Sequence, residues 1–302
     1  MPWNTSSTTM FSNMDILTAA GIDEPPTTWE GVEAACAAIA ALPDGPDNCI
    51  TWPNHGWWFE QALGQAGVNL ANNDNGRSGR ASEAFLNSEA AIEYVQWWSD
   101  LEDSGDYVYT GTQRDWDGTA AAFNAQNVAM LMYSSSDTTV LTQNGVENGF
   151  EVRTSFMPYN QDREYAGNLI GGATLWMTNG LDPAAEDGAL AFMNFFSNPA
   201  NAALWHQTTG YIPITNEATA LLSSEGWFDE SPNSATASDQ LDAAADTPAA
   251  TGALLGNFVA IRDVVTIAIE DILVNDVDVT ERMNSAQDEA QSLLDDYNEL
   301  FG

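Results

Sequence analysis

Arg262 is the residue whose type and setting most clearly suggest binding chemistry. The chain has seven arginines and no lysine against 44 acidic residues, and Arg262 lies in an apolar stretch beside Ile261 and Val264. A guanidinium group presents a planar fork of N–H donors that matches a phosphate, which an ammonium group does not. The alternative for such an arginine is a buried ion pair. Its setting in so acidic a chain favours an anion-binding site.

Two serines supply hydroxyl groups that suit the same ligand. Ser6 lies in a polar, β-prone segment, residues 2–13. Ser134 opens the run Ser134-Ser135-Ser136-Asp137, which predicts the cap of a helix that starts at about residue 138. The first turn of that helix would add backbone N–H groups and a partial positive charge.

A glycine and a tyrosine stand at positions that point to a site. Gly172 lies inside a predicted strand, residues 168–177, where a glycine indicates close approach by a ligand or by another strand. Tyr211 directly follows Gly210, which is well placed to end a helix, and Pro213 then keeps the chain extended. Such a tyrosine is aimed at a ligand, or it is a core residue with its hydroxyl at the surface.

Tryptophans cluster at Trp52, Trp57 and Trp58. An indole ring covers the apolar face of a glycerol or a sugar, so either Trp57 or Trp58 is a candidate to pack on a ligand. The more usual place for aromatic side chains is the core.

The elements that must position these residues are helices mixed with strands. A strand at 128–133 leads to Ser134, and a helix at 254–273 carries Arg262. A helical region at 184–209 is broken at Asn198-Pro199, and a last helix spans 279–300. There is no repeat of 20 to 50 residues, so the pattern indicates an α/β fold.

The sequence shows no catalytic or metal-binding motif. It contains no Gly-x-Ser-x-Gly, no phosphate-loop lysine and no His-Glu-x-x-His. His55 and His206 are isolated, and carboxylate pairs carry little information in so acidic a chain. We therefore predict a binding protein without cofactor or metal. A sugar-acting hydrolase with two opposed carboxylates is the alternative from a different class.

The formal net charge of -37 limits the possible partners. Such a surface repels nucleic acid and anionic lipid, and it suits a protein kept soluble in concentrated salt. We interpret the source as halophilic and archaeal. No apolar run is long enough to span a membrane, and the first residues lack the pattern of a signal peptide. Cys36 and Cys49 form either a disulfide or two buried thiols.

The segment 205–215, which reads Trp-His-Gln-Thr-Thr-Gly-Tyr-Ile-Pro-Ile-Thr, resembles a C-terminal signature of the extracellular solute-binding proteins (family 1) of ABC importers. It is most similar to the branch that binds sn-glycerol 3-phosphate and its diesters. Further matches lie at residues 2–13, 134–137, 170–176 and 256–262. The resemblance implies that the ligand-binding positions are Ser6, Ser134, Gly172, Tyr211, Arg262 and one indole of Trp57 and Trp58.

The resemblance also implies an architecture. It is a type 2 periplasmic-binding-protein fold, with two α/β lobes, a hinge and the ligand between the lobes. In this family a βαβ portion precedes the segment at residues 2–13, so we expect the chain to be N-terminally incomplete. The second lobe would comprise residues 5–133 and 173–302, and residues 134–172 would be a remnant of the first lobe.

The function implied by the resemblance is capture of glycerol 3-phosphate or a glycerophosphodiester outside the membrane. The protein would be a monomer that passes the ligand to an ABC permease, and it would be anchored at the cell surface through a missing N-terminus. The alternative within the family is a binder of neutral sugars or oligosaccharides, which the tryptophans favour. The position of Arg262 relative to the cleft distinguishes the two.

Overall fold

The computed structural model describes residues 1–301. Its strands are β1 (Pro2–Ser6), β2 (Thr8–Asn13), β3 (Ile50–Thr51), β4 (Met130–Ser134), β5 (Val152–Phe156) and β6 (Gly171–Thr174). The helices of the first half are α1 (Met14–Ala19), α2 (Trp29–Ala40), α3 (Gly56–Gln65), α4 (Asn72–Gly76), α5 (Glu89–Asp103), α6 (Trp116–Asn124) and α7 (Thr138–Asn148). Those of the second half are α8 (Pro183–Ser197), α9 (Pro199–Thr209), α10 (Asn216–Ser224), α11 (Trp227–Glu230), α12 (Thr236–Asp242), α13 (Phe258–Asn275) and α14 (Val279–Phe301).

The strands form two separate sheets. The larger sheet has the order β3-β4-β2-β5, in which β2 is antiparallel to β4 and to β5, and β3 is parallel to β4. All six residues of β2 are buried, as expected for a central strand covered on both faces. The smaller sheet pairs β1 with β6 in antiparallel register, with Ser6 opposite Gly171. The chain passes from one sheet to the other at Ser7.

The main hydrophobic core packs between the larger sheet and helices α2, α3, α5, α13 and α14. Its largest fully buried side chains include Trp52, Trp58 and Trp98. Trp52 stacks on Trp97 with ring centroids 5.7 Å apart and is tilted against Trp98 at 4.9 Å. Aromatic pairs of this kind add about 0.5–1.5 kcal/mol to the free energy of burial, so this cluster holds α5 firmly on the sheet.

The strand pairing divides the chain differently from the predicted lobes. The segment 134–172, which we expected to be a remnant of the first lobe, contains β5, and β5 pairs along its length with β2 in the larger sheet. We call residues 8–169 and 236–301 the four-stranded unit, and residues 1–6 and 171–224 the two-stranded unit. Local patterns predict that a segment is a strand, but the neighbour of a strand depends on contacts between residues far apart in sequence.

The two-stranded unit has a small core of its own. Ala202, Ala203, Ala218 and Leu222 are buried between α9 and α10, whereas α8 buries no residue. Large apolar side chains of this unit are exposed, among them Trp176 at 86% and Phe195 at 59%.

Several predicted elements are confirmed. The break at Asn198-Pro199 separates α8 from α9, and Asn198 caps α9 by accepting a hydrogen bond from the backbone N–H of Ala200. The helix that carries Arg262 begins four residues later than predicted, at Phe258, because Asn257 adopts a left-handed conformation. The predicted strand at 168–177 is shorter in the structure, where β6 covers Gly171–Thr174.

Cys36 and Cys49 form a disulfide, with Cα atoms 5.2 Å apart. The bond links α2 to the start of β3, and both residues lie in the main core. Of the two possibilities for these cysteines, the structure therefore shows the disulfide. Within residues 1–301, no helix has an apolar stretch long enough to cross a membrane.

Candidate functional site

A cleft of about 740 Å³ is lined by both units. The two-stranded unit contributes residues of β1 and β6, and the four-stranded unit contributes α3, the end of β4 and the start of α13. The lining residues used below are Thr5, Ser6, His55, Trp57, Glu60, Trp116, Ser134, Ser136, Asp137, Gly171, Gly172, Phe258 and Arg262. Of the seven predicted site residues, the cleft brings together Ser6, Ser134, Gly172, Trp57 and Arg262.

Strand β1 presents a hydroxyl group to the cleft. Thr5 uses its hydroxyl to donate to the carbonyl of Ile212 at 2.7 Å. The neighbouring hydroxyl of Ser6 has no hydrogen-bond partner among residues 1–301, although Ser6 is only 4% exposed. A hydroxyl without a protein partner at the wall of a cleft is well suited to bind a polar ligand atom.

The neighbouring strand explains Gly172. It has φ of 109°, and an added Cβ would lie 1.6 Å from the carbonyl oxygen of Asn4 in β1. Of the two reasons for a glycine inside a strand, close approach by another strand is the one that this geometry supports. Gly172 nevertheless lines the cleft.

The serine run lies at the end of β4. The hydroxyl of Ser136 is 2.9 Å from that of Ser134 and 2.7 Å from Oδ2 of Asp137. Helix α7 begins at Thr138, as predicted, after a short 3₁₀ turn at Ser135–Asp137. Burial raises the pKa of the Asp137 carboxyl group, while the hydrogen bond from Ser136 opposes that rise.

Arg262 lines the cleft and is also half of an ion pair. Its Nε and Nη2 each donate to one carboxylate oxygen of Glu60, both at 2.6 Å. The guanidinium carbon lies 5.0 Å from the centroid of the Phe258 ring. Within residues 1–301, Nη1 makes no hydrogen bond, so part of the guanidinium remains available. Of the two alternatives considered for this arginine, the ion pair is therefore present. Its place in a ligand-binding site stays a prediction, which its position in the cleft wall leaves open.

The first turn of α3 places Glu60 opposite Arg262. The backbone N–H of Gly56 donates to the hydroxyl of Thr266 in α13 at 2.9 Å, and that hydroxyl lies 2.9 Å from the carbonyl of Arg262. An added Cβ at Gly56 would lie 2.8 Å from the same carbonyl, so only glycine allows this contact. Residue 60 follows one helical turn after residue 56, on the same face.

The two adjacent tryptophans have different environments. Trp57 lines the cleft and packs on β6, where an added Cβ at Gly171 would lie 2.7 Å from its Cζ2. Trp58 is fully buried in the main core and is not among the lining residues. Trp116, at the start of α6, also lines the cleft, with its ring centroid 6.4 Å from that of Trp57. No pattern in the sequence pointed to Trp116, which is distant in sequence from Trp57 and Trp58.

His55 is a neutral member of the cleft wall near pH 7. Burial, together with the positive charges of Arg262 and Arg114 and against the opposing effect of Asp263, lowers the pKa of its imidazole to about 4. Its Nδ1 accepts a hydrogen bond from the backbone N–H of Trp57 at 3.3 Å and so caps α3. The imidazole therefore stabilises the helix that carries Trp57 and Glu60.

Tyr211 is not among the residues that line the cleft. Gly210 ends α9 in the left-handed conformation, as predicted. The carbonyl of Tyr211 lies 2.8 Å from Nδ1 of His206, and the next residue, Ile212, donates its N–H to Thr5 at 2.7 Å. The backbone of the segment 205–215 is thus hydrogen-bonded to β1 through Ile212 and Thr5. The Tyr211 side chain is half-buried and does not line the cleft.

Comparison with known proteins agrees with this architecture. The family model described as "Bacterial extracellular solute-binding protein" matches residues 1–236. The sn-glycerol-3-phosphate-binding periplasmic protein UgpB of Pectobacterium atrosepticum is 29% identical over 298 residues, which cover 97% of this chain and 65% of the relative. UgpB of Yersinia enterocolitica is 30% identical over 276 residues, 90% of this chain and 61% of the relative. The chain thus spans somewhat less than two thirds of the length of these relatives.

Solved structures show the same fold. UgpB of Mycobacterium tuberculosis in complex with glycerophosphocholine superposes with a TM-score of 0.78 at 21% identity, covering 98% of this chain and 70% of that one. Maltose-bound MalE3 of Thermotoga maritima gives a TM-score of 0.79 at 16% identity, covering 97% and 72%. The predicted periplasmic-binding-protein fold is therefore confirmed. This chain belongs to the family of bacterial extracellular solute-binding proteins.

Proposed function

We propose that this protein captures a small phosphate ester of glycerol in the cleft, either glycerol 3-phosphate or a glycerophosphodiester. The observation that carries the proposal is Arg262, whose guanidinium lines the cleft with Nη1 unpaired. A phosphoryl group needs charge-assisted donors in a fixed geometry, and the ion pair with Glu60 holds this guanidinium in place. The hydroxyls of Ser6 and Ser134 line the same cleft and supply neutral polar partners.

The aromatic wall suits the rest of such a ligand. The indoles of Trp57 and Trp116 offer flat apolar surfaces for the carbon skeleton of the glycerol or of an esterified alcohol. Several relatives are named as binders of sn-glycerol 3-phosphate, and one solved structure holds glycerophosphocholine. These similarities support the same ligand class here.

We further propose that the protein acts outside the membrane as a monomer and delivers its ligand to the permease of an ABC importer. The chain crosses between the two units at Ser7 and again near residue 170, next to the cleft. Crossings at a cleft are suitable hinges for closure around a ligand. A closed complex is the form that a permease would distinguish from the empty protein.

A neutral sugar is the second candidate. Tryptophans lie in the cleft, and Glu60 neutralises the charge of Arg262, so the wall also suits an uncharged polyol. The structure of maltose-bound MalE3 shows that this fold accommodates sugars. A hydrolytic function is less well supported, because both oxygens of Glu60 are engaged by Arg262 and are poorly placed to act on a glycosidic bond.

Replacement of Arg262 tests the proposal. We expect Arg262→Ala to weaken binding of glycerol 3-phosphate and glycerophosphocholine by roughly 30-fold to several thousand-fold, because a buried charge loses its partner. Arg262→Lys keeps the charge without the planar fork and should be intermediate. Binding of a neutral disaccharide should change little. Isothermal titration calorimetry in high salt measures all three.

Arg163→Ala is the matched control, since Arg163 forms a similar pair with Glu93 away from the cleft. Parallel loss of all three ligands in Arg262→Ala would mean that Arg262 supports the fold. An unchanged affinity for both phosphate esters would contradict the proposal. Tighter binding of the disaccharide than of either ester by the wild-type protein would favour the sugar.

A further inference from the structure

The charge of Arg262 is already neutralised before any ligand binds. The Glu60 side chain is 8% exposed and engages Nε and Nη2 through both of its oxygens, whereas the Arg262 side chain, which lines the cleft, is 30% exposed. This pair uses one edge of the guanidinium. The two N–H groups of Nη1 and the second N–H of Nη2 remain for a ligand.

The other charged groups of the cleft wall do not restore a positive charge. Apart from Glu60 and Arg262, the charged residue in the lining is Asp137, whose carboxyl group can add only negative charge. His55 is neutral near pH 7. Behind His55, Arg114 forms an ion pair with Asp263, so that arginine is neutralised as well. A ligand in the cleft therefore finds donors for hydrogen bonds but no net positive charge.

We infer that Glu60 is a specificity-determining residue that makes the cleft favour a singly charged phosphodiester over a doubly charged phosphomonoester. The inference rests on the proposed function and refines it. Both ligands present phosphoryl oxygens to the free donors of Arg262. The second negative charge of a monoester, however, meets the buried carboxylate of Glu60 a few ångströms behind the guanidinium, and at that depth water screens the repulsion poorly.

The experiment compares two esters that differ in phosphate charge, glycerol 3-phosphate and glycerophosphoglycerol, by calorimetry at pH 8. At this pH the monoester carries about two negative charges, because its second pKa is about 6. Glu60→Gln removes the carboxylate and keeps its shape. We expect the affinity ratio of monoester to diester to rise by about 10- to 100-fold relative to wild type, as one unit charge at close range requires.

Two further variants separate charge from geometry. Glu60→Asp keeps the charge on a shorter side chain, so it should weaken both esters and leave their affinity ratio close to that of wild type. Glu93→Gln removes the carboxylate of the equivalent pair with Arg163 outside the cleft and should leave both affinities unchanged.

The outcomes distinguish this inference from the function on which it rests. An unchanged ratio in Glu60→Gln, or an equal loss of both esters, would overturn the role of Glu60 while the proposed function stands. The same ratio change in Glu60→Asp as in Glu60→Gln would also overturn it, since geometry would then be the cause. Failure of wild type and all variants to bind either ester would overturn the proposed function itself.

Discussion

Trp57 and Trp58 are neighbours in the chain, yet they have different parts in the molecule. Helix α3 lies between the core and the cleft, and successive residues of a helix point about 100° apart. Trp57 therefore reaches the cleft and β6, whereas Trp58 is fully buried. Of the two indoles considered, Trp57 is therefore the one that lines the cleft.

This difference predicts opposite effects of the two alanine substitutions. Trp58→Ala leaves a large cavity in the core and should lower the free energy of unfolding by about 3–5 kcal/mol. Trp57→Ala should lower it less and should mainly weaken ligand binding. Urea denaturation and calorimetry on both variants measure the two effects. Equal losses of stability would show that Trp57 is as much a core residue as Trp58.

His55 should make stability depend on pH. Its imidazole has a pKa of about 4 in the folded protein, chiefly because of burial, against an ordinary value of 6.5. Between pH 4 and pH 6.5, the imidazole is therefore protonated in the unfolded chain but not in the folded protein. The stabilisation that neutral His55 provides to the folded protein is complete above pH 6.5 and is lost as the pH falls towards 4. Allowing for partial exposure of the imidazole, we expect the free energy of unfolding to fall by about 1–3 kcal/mol over this range.

The measurement compares the free energy of unfolding of wild type and His55→Asn from pH 4 to 7. Asparagine retains a cap for α3 but does not titrate. Burial raises the pKa of Glu60, which acts with the opposite sign, but that residue is present in both proteins and cancels in the difference. Identical pH profiles of the two proteins would contradict the assignment.

At the scale of elements, the pairing of β1 with β6 depends on Gly172. This strand pair joins the N-terminal segment to the residues that follow the first part of the four-stranded unit, and it forms one wall of the cleft. A two-stranded sheet has little stability of its own, so an interruption of its register should destabilise the whole of that wall.

Gly172→Ala should separate β1 from β6. The new Cβ would lie 1.6 Å from the carbonyl of Asn4 in addition to the strain of positive φ. Gly180→Ala is the matched control, because Gly180 has φ of 80° with no atom within 4 Å of the added Cβ. We expect a loss of about 1 kcal/mol in the control and clearly more in Gly172→Ala. Thermal unfolding and limited proteolysis near residue 4 measure this, and equal losses would argue against a steric role.

At the scale of the whole molecule, the excess of carboxylates dominates. The net charge is -37, and ion pairs occupy only a minority of the 44 acidic residues. Repulsion between the unpaired carboxylates favours the expanded, unfolded chain in dilute buffer. The screening length falls from about 10 Å at 0.1 M salt to about 3 Å at 1 M, which removes most of this repulsion.

We therefore expect the midpoint of thermal unfolding to rise markedly from 0.1 M to 3 M KCl, by about 2–4 °C for each kcal/mol of repulsion that is screened. Circular dichroism follows the transition. Sucrose at matched water activity is the control for the exclusion of solutes from the surface. The same midpoint at both salt concentrations would contradict the role of charge.

The sequence by itself determined the local features of this protein. Proline, glycine and serine signals placed the ends of α8, α9 and α7, because caps and breaks depend on a few adjacent residues. The segment at 205–215 and its companions indicated the family, and Arg262 was recognised as an arginine in an apolar helix.

The tertiary structure decided what depends on contacts between distant residues. Glu60 is 202 positions from Arg262, and nothing near either residue in sequence indicates their pairing. The same reason explains why β5 joined the sheet of β2 against our predicted division, and why Trp116 was missed. Burial, partners and net charge of the cleft arise only when separate elements pack together, and those are the properties that set which ligand the cleft accepts.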